Sequence, residues 1–207
     1  MTQQHPAGAT QKPPFWVRYY DLLSGVLALG RMQAVHQATL NLAGIRPGER
    51  LLDVGCGTGE LALAAQERIG RNGQIVGLDA EAAMIAQAQR KVAGAHNPVT
   101  FRQGTVAAMP YPEGHFDVAI ASLMIHHLPD PQSGLVDILR VLKPGGRFLV
   151  VDIDPTQRSL ISMLHHNMPQ KDFVRDALPE LLAAIGFSTI TTGKHPFKKF
   201  SYALAIK

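Results

Sequence analysis

From Gly48 onward, short runs of aliphatic and β-branched residues alternate with stretches of helical length, and this alternation narrows the fold more than any other feature of the chain. The runs predict strands at 50–54, 74–79, 98–102, 116–121, 147–152, 187–192 and 200–206. Helical patterns at 60–69, 81–93 and 130–142, and one carried by Leu178, Leu181, Leu182 and Ile185, fall between them. Gly70, Gly94 and Gly186 stand where helices can close, and Asp130 followed by Pro131 reads as a helix start. A helix between two strands makes a crossover, so the sheet should be mainly parallel and covered on both faces. The last two strands are joined only by "GKHPFKK", too short for a helix, and should pair antiparallel. The fold class is α/β, in one domain without internal repeats, and 207 residues at 46% hydrophobic suffice for one core.

The N-terminal part reads differently. Residues 1–14 carry Gln, Gly, Thr and three prolines without periodicity, as a disordered tail does. The domain is expected over 15–207, with 15–44 as a helical cover: Trp16, Tyr19, Tyr20 and Leu23 recur at helical spacing, and a second stretch from Met32 to Ala43 ends at Gly44. No apolar run approaches the roughly 18 residues of a bilayer span, and the first residues lack the order of a secretory signal. No membrane span and a soluble, cytoplasmic protein are the expectations. The single cysteine, Cys56, makes no internal disulfide and excludes a multi-cysteine metal site. A net charge of +4 is mild, and the basic cluster "KHPFKKF" reads more simply as a solvated chain end than as an anion site.

The chemistry begins at "LLDVGCGTGE", residues 51–60. In an open parallel sheet ligands bind at the carboxyl ends of strands where their order reverses, usually beside the first strand. Gly55, Gly57 and Gly59 permit positive φ and close approach of a ligand to the backbone, and the helix behind them offers unpaired N–H groups. A phosphate-binding P-loop would need Lys and then Ser or Thr after the last glycine, where Glu60 stands. The dinucleotide fingerprint has two residues between its second and third glycines, and this turn has one. An amino-acid-bearing nucleoside remains, whose ammonium Asp53 can attract. Asp79 ends the next strand and can accept from both hydroxyls of a ribose, or cap the helix that follows.

Four segments then agree in order and spacing: "LLDVGCGTGE", "IVGLDAEAAMIAQAQRK", "MPYPEGHFDVAIASLMIHHLPDP" and "RVLKPGGRFLVVD". Over about Tyr20 to Leu149 the chain resembles the class I S-adenosylmethionine-dependent methyltransferases, in particular the small-molecule branch of the ubiquinone and menaquinone C-methyltransferases. The resemblance implies a Rossmann-like seven-stranded sheet with the last strand inserted antiparallel, and S-adenosyl-L-methionine as cofactor. Gly55, Cys56, Gly57 and Gly59, with Asp53 beneath them, would hold its methionine portion. Asp79 would bind the ribose, Ala80 and Met84 would line the adenine, and Tyr20 would close over the methionine end or simply belong to a covering helix. Relatives commonly carry aspartate where "QGTVAAMP" places Thr105, so adenine recognition would shift toward the backbone of Thr105 and Val106.

A sulfonium methyl is already electrophilic, so the protein chiefly has to hold the attacking atom in line with it, an effect of about 7–11 kcal/mol at most. A base helps where the acceptor must lose a proton. Ser122, His126 and His127 stand directly after the fourth strand. We expect His126 or His127 to assist or orient the acceptor; polar packing before Asp130 is the alternative. A metal site joining them to His165 and His166 is disfavoured, and no metal is expected. Phe15, Trp16, Met163, Leu164 and Met168 are candidates to line an apolar acceptor pocket, or ordinary core.

The function read from the sequence is therefore methyl transfer to a small, aromatic or apolar acceptor. Two rivals stand beside it. A nucleic-acid methyltransferase is disfavoured by the modest basic surface and the lack of an Asn-Pro-Pro-Tyr type of signature. A methyltransferase-like module that binds the cofactor without catalysis is opposed by the intact "GCGTG" and Asp79. The identity of the acceptor and the oligomeric state are open at this level.

Overall fold

The structure, a computed structural model, describes residues 31–92, 99–128, 130–154 and 173–207. Helix α1 (Met32–Ala43) precedes strand β1 (Arg50–Val54), which leads through the glycine turn into α2 (Glu60–Ile69). Strand β2 (Gln74–Asp79), α3 (Ala82–Val92) and β3 (Val99–Gln103) follow, then β4 (Phe116–Ser122) and a 3₁₀ turn at Ile125–His127. Helix α4 (Pro131–Val141) runs directly into β5 (Leu142–Ile153). After α5 (Phe173–Asp176) and α6 (Leu178–Ile185) come β6 (Ser188–Lys194) and β7 (Phe200–Ile206).

The seven strands form one sheet in the order β3-β2-β1-β4-β5-β7-β6. Strands β1 to β5 pair in parallel, while β7 lies antiparallel to both β5 and β6. The short connection before the last strand thus has the predicted consequence: β7 folds back into the sheet beside β5 and leaves β6 at the edge. The order reverses between β1 and β4, so the crevice beside the carboxyl end of β1 is the topological switch point.

Burial explains the strand composition. In β4, five of the six residues from Phe116 to Ala121 are buried, Asp117 being the exception, and Leu51–Val54 of β1 are buried throughout. Both faces of these central strands are covered, so they read as unbroken apolar runs. Leu52, Val54 and Phe148 belong to one core cluster, packed against α4 and α6. Leu51, Ile75 and Leu149 belong to the other, under α1, α2 and α3. Strand β6, "STITTGK", is by contrast largely exposed and carries a register shift between Ser188 and Thr191, where Thr189 has φ 46°. An irregular, threonine-rich edge is poorly suited to pairing with another chain.

Helix ends follow their residues. Gly44 closes α1 at φ 60° and Gly186 closes α6 at φ 109°, while the Asp130 side chain accepts the N–H of Gln132 at 3.1 Å to start α4. The largest departure from the sequence reading is β5, which begins at Leu142 rather than 147. Gly145 at φ 74° donates to the Lys207 carbonyl at 2.9 Å, and the Lys207 N–H returns to Gly146 at 3.0 Å. The chain end thereby holds "KPGG" in strand-like pairing that a Pro-Gly-Gly run does not announce. The expected tail over 1–14, the helical pattern at 16–23 and the closing Gly94 lie outside the described residues. Among the described residues no helix is long and apolar enough to cross a membrane.

Candidate functional site

Strand β1 delivers Asp53 to the switch point and the chain turns sharply behind it, with φ 69° at Gly55, 53° at Gly57 and 84° at Gly59. The turn is tied to β2: Gly55 and Cys56 both donate to the Leu78 carbonyl, at 2.7 and 3.0 Å. Asp79 completes the tie, because its Oδ2 accepts the Gly57 N–H at 2.8 Å and its Oδ1 accepts the Glu81 N–H at 2.9 Å. Asp79 thus ties down the chain just ahead of α3, which starts at Ala82, and each oxygen keeps a second lone pair for a ligand hydroxyl.

The glycines answer to packing as well as to a ligand. A Cβ built on Gly59 would fall 2.4 Å from Cζ of Phe101, and one on Gly55 would fall 2.7 Å from Cβ of Met124. Gly77, one strand over, leaves room for Phe101 and for Cys56 Sγ. Cys56 itself is core: burial pushes its thiol well above the ordinary range, with the charges of Asp53 and Asp79 adding to the effect. Only its main chain is left to face a ligand. Glu60, directly behind the turn, is met by Lys91 Nζ at 2.5 Å, which also donates to the Thr58 carbonyl at 3.0 Å.

Asp53 is 2% exposed, and its Oδ2 has no hydrogen-bond partner among the described residues. Burial pushes its carboxyl up to about 7, opposed by a hydrogen bond from the Ala62 amide and reinforced by the charge of Asp79. A buried carboxylate oxygen without a donor is costly, and a cationic donor brought by a ligand would remove that cost. The donor set thus fits an amino-acid-bearing nucleoside better than a phosphate, which would meet Asp53 and Asp79 as like charges.

The remaining predicted residues gather around this centre to different degrees. Met84 is buried and Ala80 exposed on the segment after β2, and Gln103 Nε2 donates to the Ala80 carbonyl at 3.0 Å. Gly104 donates to the Asp79 carbonyl at 2.9 Å, which brings Thr105 and Val106 beside that segment; Thr105 is exposed, and Val106 is buried against the flank of Gly134. Ser122 ends β4, half-buried. The rings of His126 and His127 lie 3.9 Å apart between centroids at a tilt of 42°, with His127 exposed and His126 tucked in at 13% side-chain exposure. Tyr20, the apolar candidates Phe15, Trp16, Met163, Leu164 and Met168, and His165 and His166 lie outside the described residues.

Two residues of the site escaped the sequence reading. Asp152, near the end of β5, meets Nδ1 of His126 at 2.7 Å. Leu123, between the predicted Ser122 and Met124, has φ 57°, a conformation rare for a bulky side chain. The acidic residue at the end of "FLVVD" was the available signal for the first, since strand ends at the switch point face the ligand crevice; nothing local signals the second.

A family model described as a methyltransferase domain matches residues 45–195, the span holding the glycine turn, Asp53, Asp79 and both histidines. The chain belongs to the methyltransferase-domain family. This methyltransferase is 31% identical over 148 residues to the ubiquinone/menaquinone biosynthesis C-methyltransferase UbiE of Pseudomonas fluorescens, an alignment covering 70% of this chain and 58% of the relative. It therefore spans less than two thirds of the length of the curated relatives it matches. Among solved structures it resembles an S-adenosylmethionine-dependent methyltransferase from Aquifex aeolicus, with TM-score 0.74, 19% identity, and 90% and 97% of the two chains covered. It also resembles a phosphoethanolamine N-methyltransferase 2 of Haemonchus contortus in complex with phosphomonomethylethanolamine and S-adenosylhomocysteine. That likeness has TM-score 0.68 and 19% identity, over 83% of this chain and 52% of the other. The Rossmann-like methyltransferase fold expected from the sequence is the one observed, and S-adenosylmethionine is the cofactor with which family and neighbours agree.

Proposed function

We propose that this S-adenosylmethionine-dependent methyltransferase methylates a small, aromatic or apolar acceptor, with a quinol-like ring as the first choice. The observation that carries the reading is the buried, donor-lacking Oδ2 of Asp53 beneath a glycine turn whose Gly57 amide is held by Asp79. When bound, the cofactor supplies an electrophilic sulfonium methyl. Asp53 would receive its ammonium, the turn amides its carboxylate end, Asp79 the ribose, and Ala80, Met84 and the Thr105–Val106 backbone the adenine. His126, on the turn after β4, would assist or orient the acceptor.

The quinol-like choice is supported by the likeness to UbiE proteins, named for ubiquinone and menaquinone biosynthesis C-methylation. Residues 15–207 would act as one domain in the cytoplasm, with 15–44 covering the pocket. The test begins with calorimetry using S-adenosylhomocysteine, where micromolar or tighter binding is expected. Methyl-labelled S-adenosylmethionine is then supplied anaerobically with 1,4-naphthalenediol, whose ring carbons and hydroxyls give distinguishable products by NMR. Ring methylation supports the reading. Labelling confined to added RNA would overturn the small acceptor, and absence of any heat with S-adenosylhomocysteine would overturn the cofactor assignment.

A further inference from the structure

The turn after β4 is built around a carboxylate from the neighbouring strand. Ser122 pairs with Val151, and Asp152 follows immediately on β5. One oxygen of Asp152, Oδ1, lies 2.7 Å from Nδ1 of His126 and accepts the Ile153 N–H at 2.8 Å; Oδ2 accepts the main-chain N–H of His126 at 3.3 Å. The side chains of the pair are 13% and 5% exposed. Leu123, at φ 57° and fixed by its N–H to the Val151 carbonyl at 2.8 Å, reverses the chain so that Met124 comes over Gly55 and His126 comes over Asp152. A bulky residue is seldom held in that region, and such strain clusters at functional sites.

We propose that Asp152 is a positioning residue that fixes His126 as its Nδ1–H tautomer, making Nε2 the proton acceptor for a phenol- or enol-type hydroxyl on the methyl acceptor. This rests on the function proposed above. An ionised carboxylate only accepts, so the hydrogen between Nδ1 and Oδ1 belongs to the neutral ring, and the lone pair is on Nε2. In the step, the acceptor O–H bond breaks, its proton moves to Nε2 and the bonding pair stays on the acceptor as a phenolate or enolate, nucleophilic at oxygen or the conjugated carbon. The Nδ1–H stays with Asp152, whose charge stabilises the imidazolium. A phenol with pKa near 10 gains most from such a base.

Among the described residues, the ionisable group placed against the ring besides Asp152 is His127 on the same turn, at 3.9 Å between centroids.

Asp152 also caps main-chain N–H groups, and the test separates that duty from the proposed one. Asp152→Asn keeps an acceptor oxygen for the N–H groups but removes the charge. In imidazole-¹⁵N spectra of the full chain, with and without S-adenosylhomocysteine, wild-type His126 should be the Nδ1–H tautomer at alkaline pH. Asp152→Asn should shift the ring toward a mixture of Nδ1–H and Nε2–H tautomers. An Nε2–H tautomer in the wild type, or a tautomer distribution unmoved by the substitution, overturns the proposal. With 1,4-naphthalenediol, Asp152→Asn should cost at least about tenfold in kcat/KM, Asp152→Glu should recover part of it, and S-adenosylhomocysteine affinity should stay within about twofold. Unchanged kcat/KM also overturns it. If wild type leaves this diol unmethylated, the ring spectra alone decide. Failure of the wild type to bind S-adenosylhomocysteine would sink the cofactor reading, while the spectra without it still judge the tautomer.

Discussion

Gly57 donates its main-chain N–H to Oδ2 of Asp79 across 2.8 Å, so the acid that ends β2 holds the turn that follows β1 in shape. Asp79 thereby organises the turn, besides the ribose contact proposed for it. Asp79→Ala removes this bond, the one from Glu81 and two acceptors for a ribose. A hydrogen bond to a charged group contributes about 1.5–3 kcal/mol, so S-adenosylhomocysteine affinity should fall by roughly 10- to 100-fold. Calorimetry measures the loss, and a melting curve without ligand should also drop by a few degrees. An affinity loss with an unmoved melting point would mean that the tie to Gly57 adds nothing.

Gly59→Ala should destabilise the fold itself. The new Cβ would fall 2.4 Å from Cζ of Phe101 and 3.2 Å from Cβ of Ala88, at φ 84°. Left-handed strain of about 1–2 kcal/mol adds to overpacking of about 1–3 kcal/mol. At about 2–4 °C per kcal/mol for a chain of this size, the melting point should fall by roughly 5–15 °C. Phe101→Leu in the same chain should recover part of the loss, because the clash is with the ring. Full additivity of the two substitutions would refute the contact.

These two positions show what the sequence could disclose. The glycine spacing and the acid ending β2 were legible because a positive-φ turn and a strand-end carboxylate leave local residue signatures. The antiparallel β7 was legible because seven residues cannot make a crossover helix. Phe101 as the reason for Gly59 was not, since the two are brought together only by pairing of β2 with β3 and the packing of α2 and α3 above them. Asp152 was hidden similarly: it is 26 residues from His126, and only the β4–β5 register sets them side by side. The start of β5 was missed because Lys207, at the chain end, supplies its partner.

The two neighbouring histidines should separate on substitution, because only His126 has its ring tied to Asp152 in the described hydrogen bonds while His127 is exposed. His126→Ala should lower single-turnover methyl transfer to 1,4-naphthalenediol by about 100-fold, in the range of a lost general base, and by more than His127→Ala does. The larger loss in His127→Ala would reassign the base to the exposed ring.

Asp53 and His195 should pull the pH dependence of stability in opposite directions over one window. Burial pushes the Asp53 carboxyl up from 3.8 to about 7. The folded state then holds a proton that the unfolded state releases, so this contribution is present below pH 3.8 and lost as pH rises through about 7. His195 is 1% exposed, with its Nδ1 accepting the Phe197 N–H at 3.1 Å and its Nε2 3.3 Å from Thr39 Oγ1 on α1. Burial lowers it from 6.5 to about 4. Its contribution is present above pH 6.5 and lost as pH falls through about 4. Each slope approaches about 1.4 kcal/mol per pH unit, so between pH 4 and 6.5 the two nearly cancel. Denaturant midpoints of the wild type should therefore change little across that interval, apart from a small rise contributed by His115, which burial and the charges of Arg50 and Lys143 also lower from 6.5. Asp53→Asn should leave a midpoint that climbs with pH, and His195→Gln one that declines. If both variants stay as flat as the wild type, neither group is buried in the folded protein in the state described.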